Sequence, residues 1–181
     1  MGEQTKSPET SKASALDGIA SRWAAWLCRT NSLEVVVEIE ALGERVACAN
    51  RVLRRTGLLR RVEWVEGGVP DELVRDAVAL RVSTTRADGA AWTWAFLSIS
   101  ARGEDLTADF DYERRPDLVP PCTRADCEAE LRLFPRDPVR LPAWMMHLQS
   151  DGIEEVSEAD SRSGEGAGSR RLMGLLALRP R

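Results

Sequence analysis

Residues 92–112, WTWAFLSISARGEDLTADFDY, read as two strands and the turn between them. Trp92, Trp94 and Phe96 occupy one side of the first strand, Ala91–Ala101, and Leu97 and Ile99 the other, so this strand is expected to be well buried. Arg102-Gly103 supplies the hairpin turn. The returning strand, Glu104–Tyr112, separates Leu106, Ala108, Phe110 and Tyr112 from Asp105, Thr107, Asp109 and Asp111. A hairpin with one apolar and one acidic face needs neighbouring strands and a covering layer, which points to an α+β domain with an antiparallel sheet of about five strands.

The preceding sequence provides those parts. Residues 1–12 are polar and expected to be a disordered tail. Leu16, Ile19, Ala20, Trp23, Ala24, Trp26 and Leu27 fall at helical spacing and predict an N-terminal helix over Ser14–Arg29. Leu33, Val35, Val37, Ile39 and Ala41 then alternate with Glu34, Val36, Glu38 and Glu40, a strand with an acidic outer face. Arg45–Arg55 and Leu58–Glu66 complete a three-stranded meander, with helix as the alternative for Val46–Arg55. Asp71 is placed to cap a crossing helix that turns Leu73, Val74, Ala77, Val78, Leu80 and Val82 inward.

After the hairpin, Pro116, Pro120 and Pro121 break the chain. Thr123 is a good N-cap for a helix through Leu133, with Cys127, Leu131 and Phe134 as its inner stripe. A short C-terminal helix is expected at Ala143–Gln149. The domain therefore covers residues 13–149, and 150–181 is a charged Ser/Gly-rich tail expected to be disordered.

The 181 residues are 43% hydrophobic and 30% charged, ordinary proportions for a globular domain. Asp and Glu total 29 against 25 Lys and Arg, a formal net charge of −4. That balance argues against nucleic-acid binding driven by phosphate neutralisation and suits a basic partner. No stretch has the apolar core of a signal peptide or the ~20 apolar residues of a membrane span. A cytoplasmic location away from membranes is expected, with Cys28, Cys48, Cys122 and Cys127 as thiols.

Candidate chemistries are thin. A catalytic dyad or triad would have to use His147, the single histidine, and no nucleophile motif accompanies it. Cys122 and Cys127 with His147 lack the paired spacing of a zinc site and read as apolar fillers. Gly164, Gly166 and Gly168 have no strand before them and so do not form a phosphate loop. Asp109 and Asp111 share a strand face, but exposed carboxylates lack the burial that tunes acid–base groups. The reading is a non-enzyme without metal or cofactor.

Added together, Glu34, Glu38 and Glu40 with Asp105, Asp109, Asp111 and Glu113 form outward acidic ladders. Such a surface steers encounter with a basic protein. Cross-strand pairing with the arginines of residues 45–61 explains the same pattern equally well. A different class of function, a small-molecule or effector-binding domain, would use the Trp92/Trp94/Phe96 face as a pocket wall.

The run AAWTWAFLSISARGEDLTADFDYERRPDL, residues 90–118, followed by AELRLFPRDPVRLPAWM, residues 129–145, resembles the YezG-like immunity proteins of bacterial polymorphic toxin systems, actinobacterial members in particular. Trp92, Gly103, Phe110-Asp111-Tyr112, Pro116, Leu131, Phe134-Pro135-Arg136, Pro142 and Trp144 carry the resemblance, which covers residues 71–148. Ala90-Ala91 before the tryptophan and the tail after Ser150 depart from the pattern. The resemblance implies an antitoxin that neutralises a cognate toxin domain, often a nuclease, by stoichiometric occlusion. It also implies that the motif residues hold the fold, with Arg136 pairing to the Asp109/Asp111 strand end. The partner surface is then expected on the seven carboxylates named above.

Overall fold

The computed structural model describes residues 8–57, 61–102 and 105–150. Helix α1 (Pro8–Thr30) leads into strands β1 (Ser32–Leu42), β2 (Arg45–Thr56) and β3 (Arg61–Glu66). Helix α2 (Asp71–Ser83), the hairpin β4 (Trp94–Ser100) and β5 (Thr107–Asp111), and helices α3 (Arg124–Leu133) and α4 (Ala143–Ser150) follow, with a 3-10 turn at Pro138–Arg140. The five strands form one antiparallel sheet in the order β3-β2-β1-β4-β5, so the fold is α+β. The alternative of a helix at Val46–Arg55 is excluded by the β1–β2 register, which runs from Leu42↔Arg45 to Ser32↔Arg54.

β1 is central because its sequence can be buried on both sides. Val35, Val37 and Ile39 are fully buried beneath α1 and α2, while Val36, on the opposite face, is 8% exposed. α1 contributes Ile19, Trp23, Trp26 and Leu27 to the same core, and β4 contributes Ala95, Leu97 and Ile99. Full burial of side chains of this size is worth about 1.5–3 kcal/mol each. A second cluster, Leu42, Leu118, Cys122, Cys127 and Met145, seats the 116–150 segment on the far end of the other sheet face.

Several sequence expectations need correction. α1 begins at Pro8, so the helix takes in residues 8–12 of the stretch expected to be a disordered tail; proline is tolerated in a first helical turn, where its missing N–H has no partner to lose. Asp71 is not a cap: Pro70 holds the N-cap position and Asp71 is the first helical residue, its charge set against the helix dipole. On α2 the inward stripe is Leu73, Ala77, Leu80 and Arg81, and Val82 is 73% exposed. Position 81 continues the i, i+4, i+7, i+8 stripe and 82 lies ~100° away, so helical geometry buries the arginine and leaves the valine outside.

Thr123 caps α3 as expected, in a capping box in which Asp126 answers the Thr123 backbone N–H. The buried residues of α3 are Cys127 and Glu130, while Leu131 and Phe134 are only half-buried. The stretch after Ser150, with Gly164, Gly166 and Gly168, lies outside the described residues, as does the turn residue Gly103.

Glu130 organises a buried polar hub. Its carboxylate accepts from Arg81 Nη2 at 2.8 Å and from the Gly43 backbone N–H at 2.7 Å. Gly43 has φ +60°, and a Cβ there would stand 2.9 Å from the Ala129 Cβ, so only glycine lets α3 approach this turn. Arg81 also donates to the Trp92 carbonyl at 3.0 Å and lies 4.8 Å over the Phe134 ring. Arg136 donates to the carbonyls of Tyr112, at 2.8 Å, and Ala91, with Glu130 at 4.0 Å. The expected pairing of Arg136 with Asp109 or Asp111 is thus replaced: it meets the strand end through backbone carbonyls, and its carboxylate is Glu130.

Candidate functional site

Directly opposed residues in an antiparallel sheet share a face, so the register builds the surface left open by α1 and α2. One row runs Trp64, Leu53, Glu34, Ser100; the next Glu66, Arg51, Val36, Ser98, Thr107. The third is Ala49, Glu38, Phe96, Asp109 and the fourth Ala47, Glu40, Trp94, Asp111. The 116–150 segment covers the end beyond the fourth row, where Ala47 packs against the Leu42 cluster. The first three rows carry no covering element among the described residues. They offer Trp64, 41% exposed, with half-buried Leu53 and Phe96, and Val62 flanks them at 53%.

The expected acidic ladder is only partly free. Arg114, beyond β5, reaches back to Glu40 at 3.1 Å and Glu38 at 4.0 Å, and its guanidinium lies 5.2 Å over the Trp94 ring. Trp94 Nε1 donates to Glu38 Oε1 at 2.5 Å, and the Asp117 backbone N–H donates to Glu40. Asp111 Oδ1 accepts from the backbone N–H groups of Glu113 and Arg114, both at 2.9 Å, closing the turn after β5. Glu34 accepts from the Ser98 hydroxyl at 3.4 Å. Asp105, Asp109 and Glu113 remain exposed. The partner of the Glu38 and Glu40 carboxylates is therefore Arg114; Arg51, opposite Val36 and Glu66, instead lies 4.8 Å over the Trp64 ring.

The face is amphipathic in a graded way. Carboxylates dominate over β1 and β5, aromatic and aliphatic surface lies between them, and Arg51 and Arg55 sit on β2. Trp64 and its stacked arginine were missed as site residues, because the short β3 gives too little alternation to fix which side faces out.

The aromatic wall expected for a small molecule does not form. Trp92 precedes β4, where the alternation no longer holds, and is fully buried in the helix-covered core. Its Nε1 donates to Thr84 Oγ1 at 3.0 Å and its ring stacks on Phe110 at 5.8 Å. Trp94 and Phe96 stack on the opposite face, 6.5 Å apart.

His147 is exposed on α4, whereas Cys122 and Cys127 are buried. Burial pushes the Cys127 thiol up to about 11, with Cys122, Asp126 and Glu130 adding to it. That protonated, enclosed sulfur is a poor nucleophile and a poor metal ligand. Among the described residues no group of three or more His, Cys, Asp or Glu is placed to hold a metal ion, and no helix is long and apolar enough to cross a membrane.

No protein-family model matches the sequence, and no curated protein matches it.

Proposed function

We propose that this chain is an immunity protein of the YezG-like kind, a stoichiometric binder that occludes a cognate toxin domain with the open face of its sheet. The observation that carries the reading is the juxtaposition, on one uncovered face, of exposed Trp64, its stacked Arg51 and a field of carboxylates. Tryptophan and arginine are the side chains that most often anchor protein interfaces, and the carboxylates complement a basic surface such as a nuclease groove. The five strands span ~19 Å and the three open rows ~14 Å, roughly 260 Å², about a third of the ~800 Å² a standard interface takes from each partner. The partner therefore also reaches the β3 edge or the rim at Asp105 and Asp109.

The test is co-purification of the tagged full chain with the product of the adjacent upstream gene. It is run at low salt and at about 0.5 M, where the screening length falls to ~4 Å. One-to-one capture that weakens in salt and is lost in Trp64→Ala supports the reading. Failure to capture at either salt, or capture indifferent to Trp64→Ala and Asp109→Lys, removes it.

A further inference from the structure

Away from the open sheet face, the turn before β4 and the start of α4 enclose a cleft of about 690 Å³. Arg86, Arg136 and Arg140 stand on its walls with Asp88, Glu113 and the Leu141-Pro142-Ala143 corner. We propose that this cleft binds a small organic oxyanion, phosphate or carboxylate, as an effector site separate from the partner surface.

Independent observations converge on it. Arg136, 8% exposed, forms the floor of the cleft and is held there by the Tyr112 and Ala91 carbonyls, so its charge is fixed in place. Arg86 is exposed, with its guanidinium 4.5 Å over the Tyr112 ring. Arg140 is 68% exposed and only loosely tethered, 3.7 Å from Asp88. The first turn of α4 starts at Ala143 on the same wall, where the helix dipole favours negative charge. Guanidinium forks match phosphate and carboxylate alike, and the volume falls in the range of small-ligand sites.

Asp88 and Glu113 oppose an anion, but Asp88 is already engaged and Glu113 is exposed to solvent. Asp88 Oδ1 accepts from the Ala90 N–H at 3.1 Å and its other oxygen faces Arg140, while Glu113 projects from the exposed rim. Behind them, Glu130 is shared between Arg81 and Arg136. The cleft and its backing then hold four guanidiniums against three carboxylates, an excess positive charge that an anion would balance.

The test measures thermal stability and binding heat of the full chain with inorganic phosphate and, separately, with succinate, each against chloride at matched ionic strength. Saturable stabilisation is expected with at least one probe, and which one responds assigns the headgroup. Arg86→Ala/Arg140→Ala, both exposed positions, should weaken that binding by about tenfold or more. Asp88→Asn, which keeps the acceptor for Ala90, should tighten it. No saturable response to either probe, or a response unchanged in the double variant, overturns the proposal. Partner capture is read separately, so either proposal can fail without the other.

Discussion

Arg81 in α2 and Glu130 in α3 meet at 2.8 Å with side chains 5% and 0% exposed. Arg136, its side chain likewise buried, lies 4.0 Å from the same carboxylate. One buried anion thus serves two buried cations, and it also accepts from the turn at Gly43. Glu130→Gln would leave both arginines unopposed, and the expected loss is about 3–5 kcal/mol. Denaturant unfolding should show this, whereas Glu128→Gln, which breaks the exposed pair with Arg124 on the same helix, should stay within about 0.5 kcal/mol.

Gly89 is held at φ +81°, and a Cβ there would stand 1.9 Å from the Pro135 carbonyl oxygen. Gly89→Ala should therefore displace the Phe134-Pro135-Arg136 segment and cost more than the ~1–2 kcal/mol of a left-handed residue alone. Gly57, at φ +66° with nothing within 4 Å, is the control: its alanine variant should show the conformational cost and no more. Equal losses in the two melting curves would contradict the packing role of Gly89.

Asp126 should contribute acid sensitivity. Burial pushes its pKa up, but the Thr123 backbone N–H and hydroxyl and the Arg45 guanidinium at 2.7 Å outweigh this and hold it below the ordinary value of 3.8. A depressed folded pKa stabilises above the unfolded value and is lost as pH falls through the folded one. The stability gap between the native chain and Asp126→Asn should be full above the ordinary carboxylate value and shrink as pH falls below 3.8 through the depressed folded one. Thr123→Ala, which removes the cap, should cost ~1 kcal/mol at neutral pH.

Thiol reactivity should divide by burial. Cys28 and Cys48 are exposed, Cys122 and Cys127 are buried, and all four are free. A colourless-to-yellow disulfide reagent at mildly alkaline pH should titrate Cys28 readily. Cys127, whose pKa is pushed up to about 11, should react only after unfolding. Rapid native labelling of Cys127 would show that the Leu42 cluster opens on its own.

The carboxylates of the open face are not equivalent probes of partner binding. Asp109→Lys alters an exposed side chain that accepts from the adjacent Phe110 N–H at 2.9 Å. It should slow association while shifting stability by no more than about 0.5 kcal/mol. Asp111→Lys removes the acceptor for two backbone N–H groups and should destabilise the fold by ~1–3 kcal/mol before any effect on a partner is read. Stopped-flow association and thermal unfolding of the two variants separate these outcomes.

Much of the fold was legible because the information is local. Alternation in Leu33–Leu42 and in Trp94–Ser100 and Thr107–Asp111 placed strands and faces, though it misplaced Trp92; apolar spacing in Ser14–Arg29 placed α1, and Thr123 announced the start of α3. Side-chain direction repeats every two residues in a strand and every 3.6 in a helix, whatever the rest of the chain does. The surface was legible only in part: Glu34, Glu38, Glu40, Asp109 and Asp111 share the open face, Asp105 and Glu113 lie outside its strands, and which carboxylates are free was not readable. Whether Glu38 and Glu40 are open or paired depends on Arg114, which is 74 residues from Glu40 and arrives only when the chain turns back after β5. Arg81, Glu130 and Arg136 show the same dependence more sharply. Each reads as a surface residue alone, because burying a lone charge is prohibitive. Burial becomes tolerable only when three segments distant in sequence converge, so tertiary structure alone decided that these three charges form the centre of the molecule.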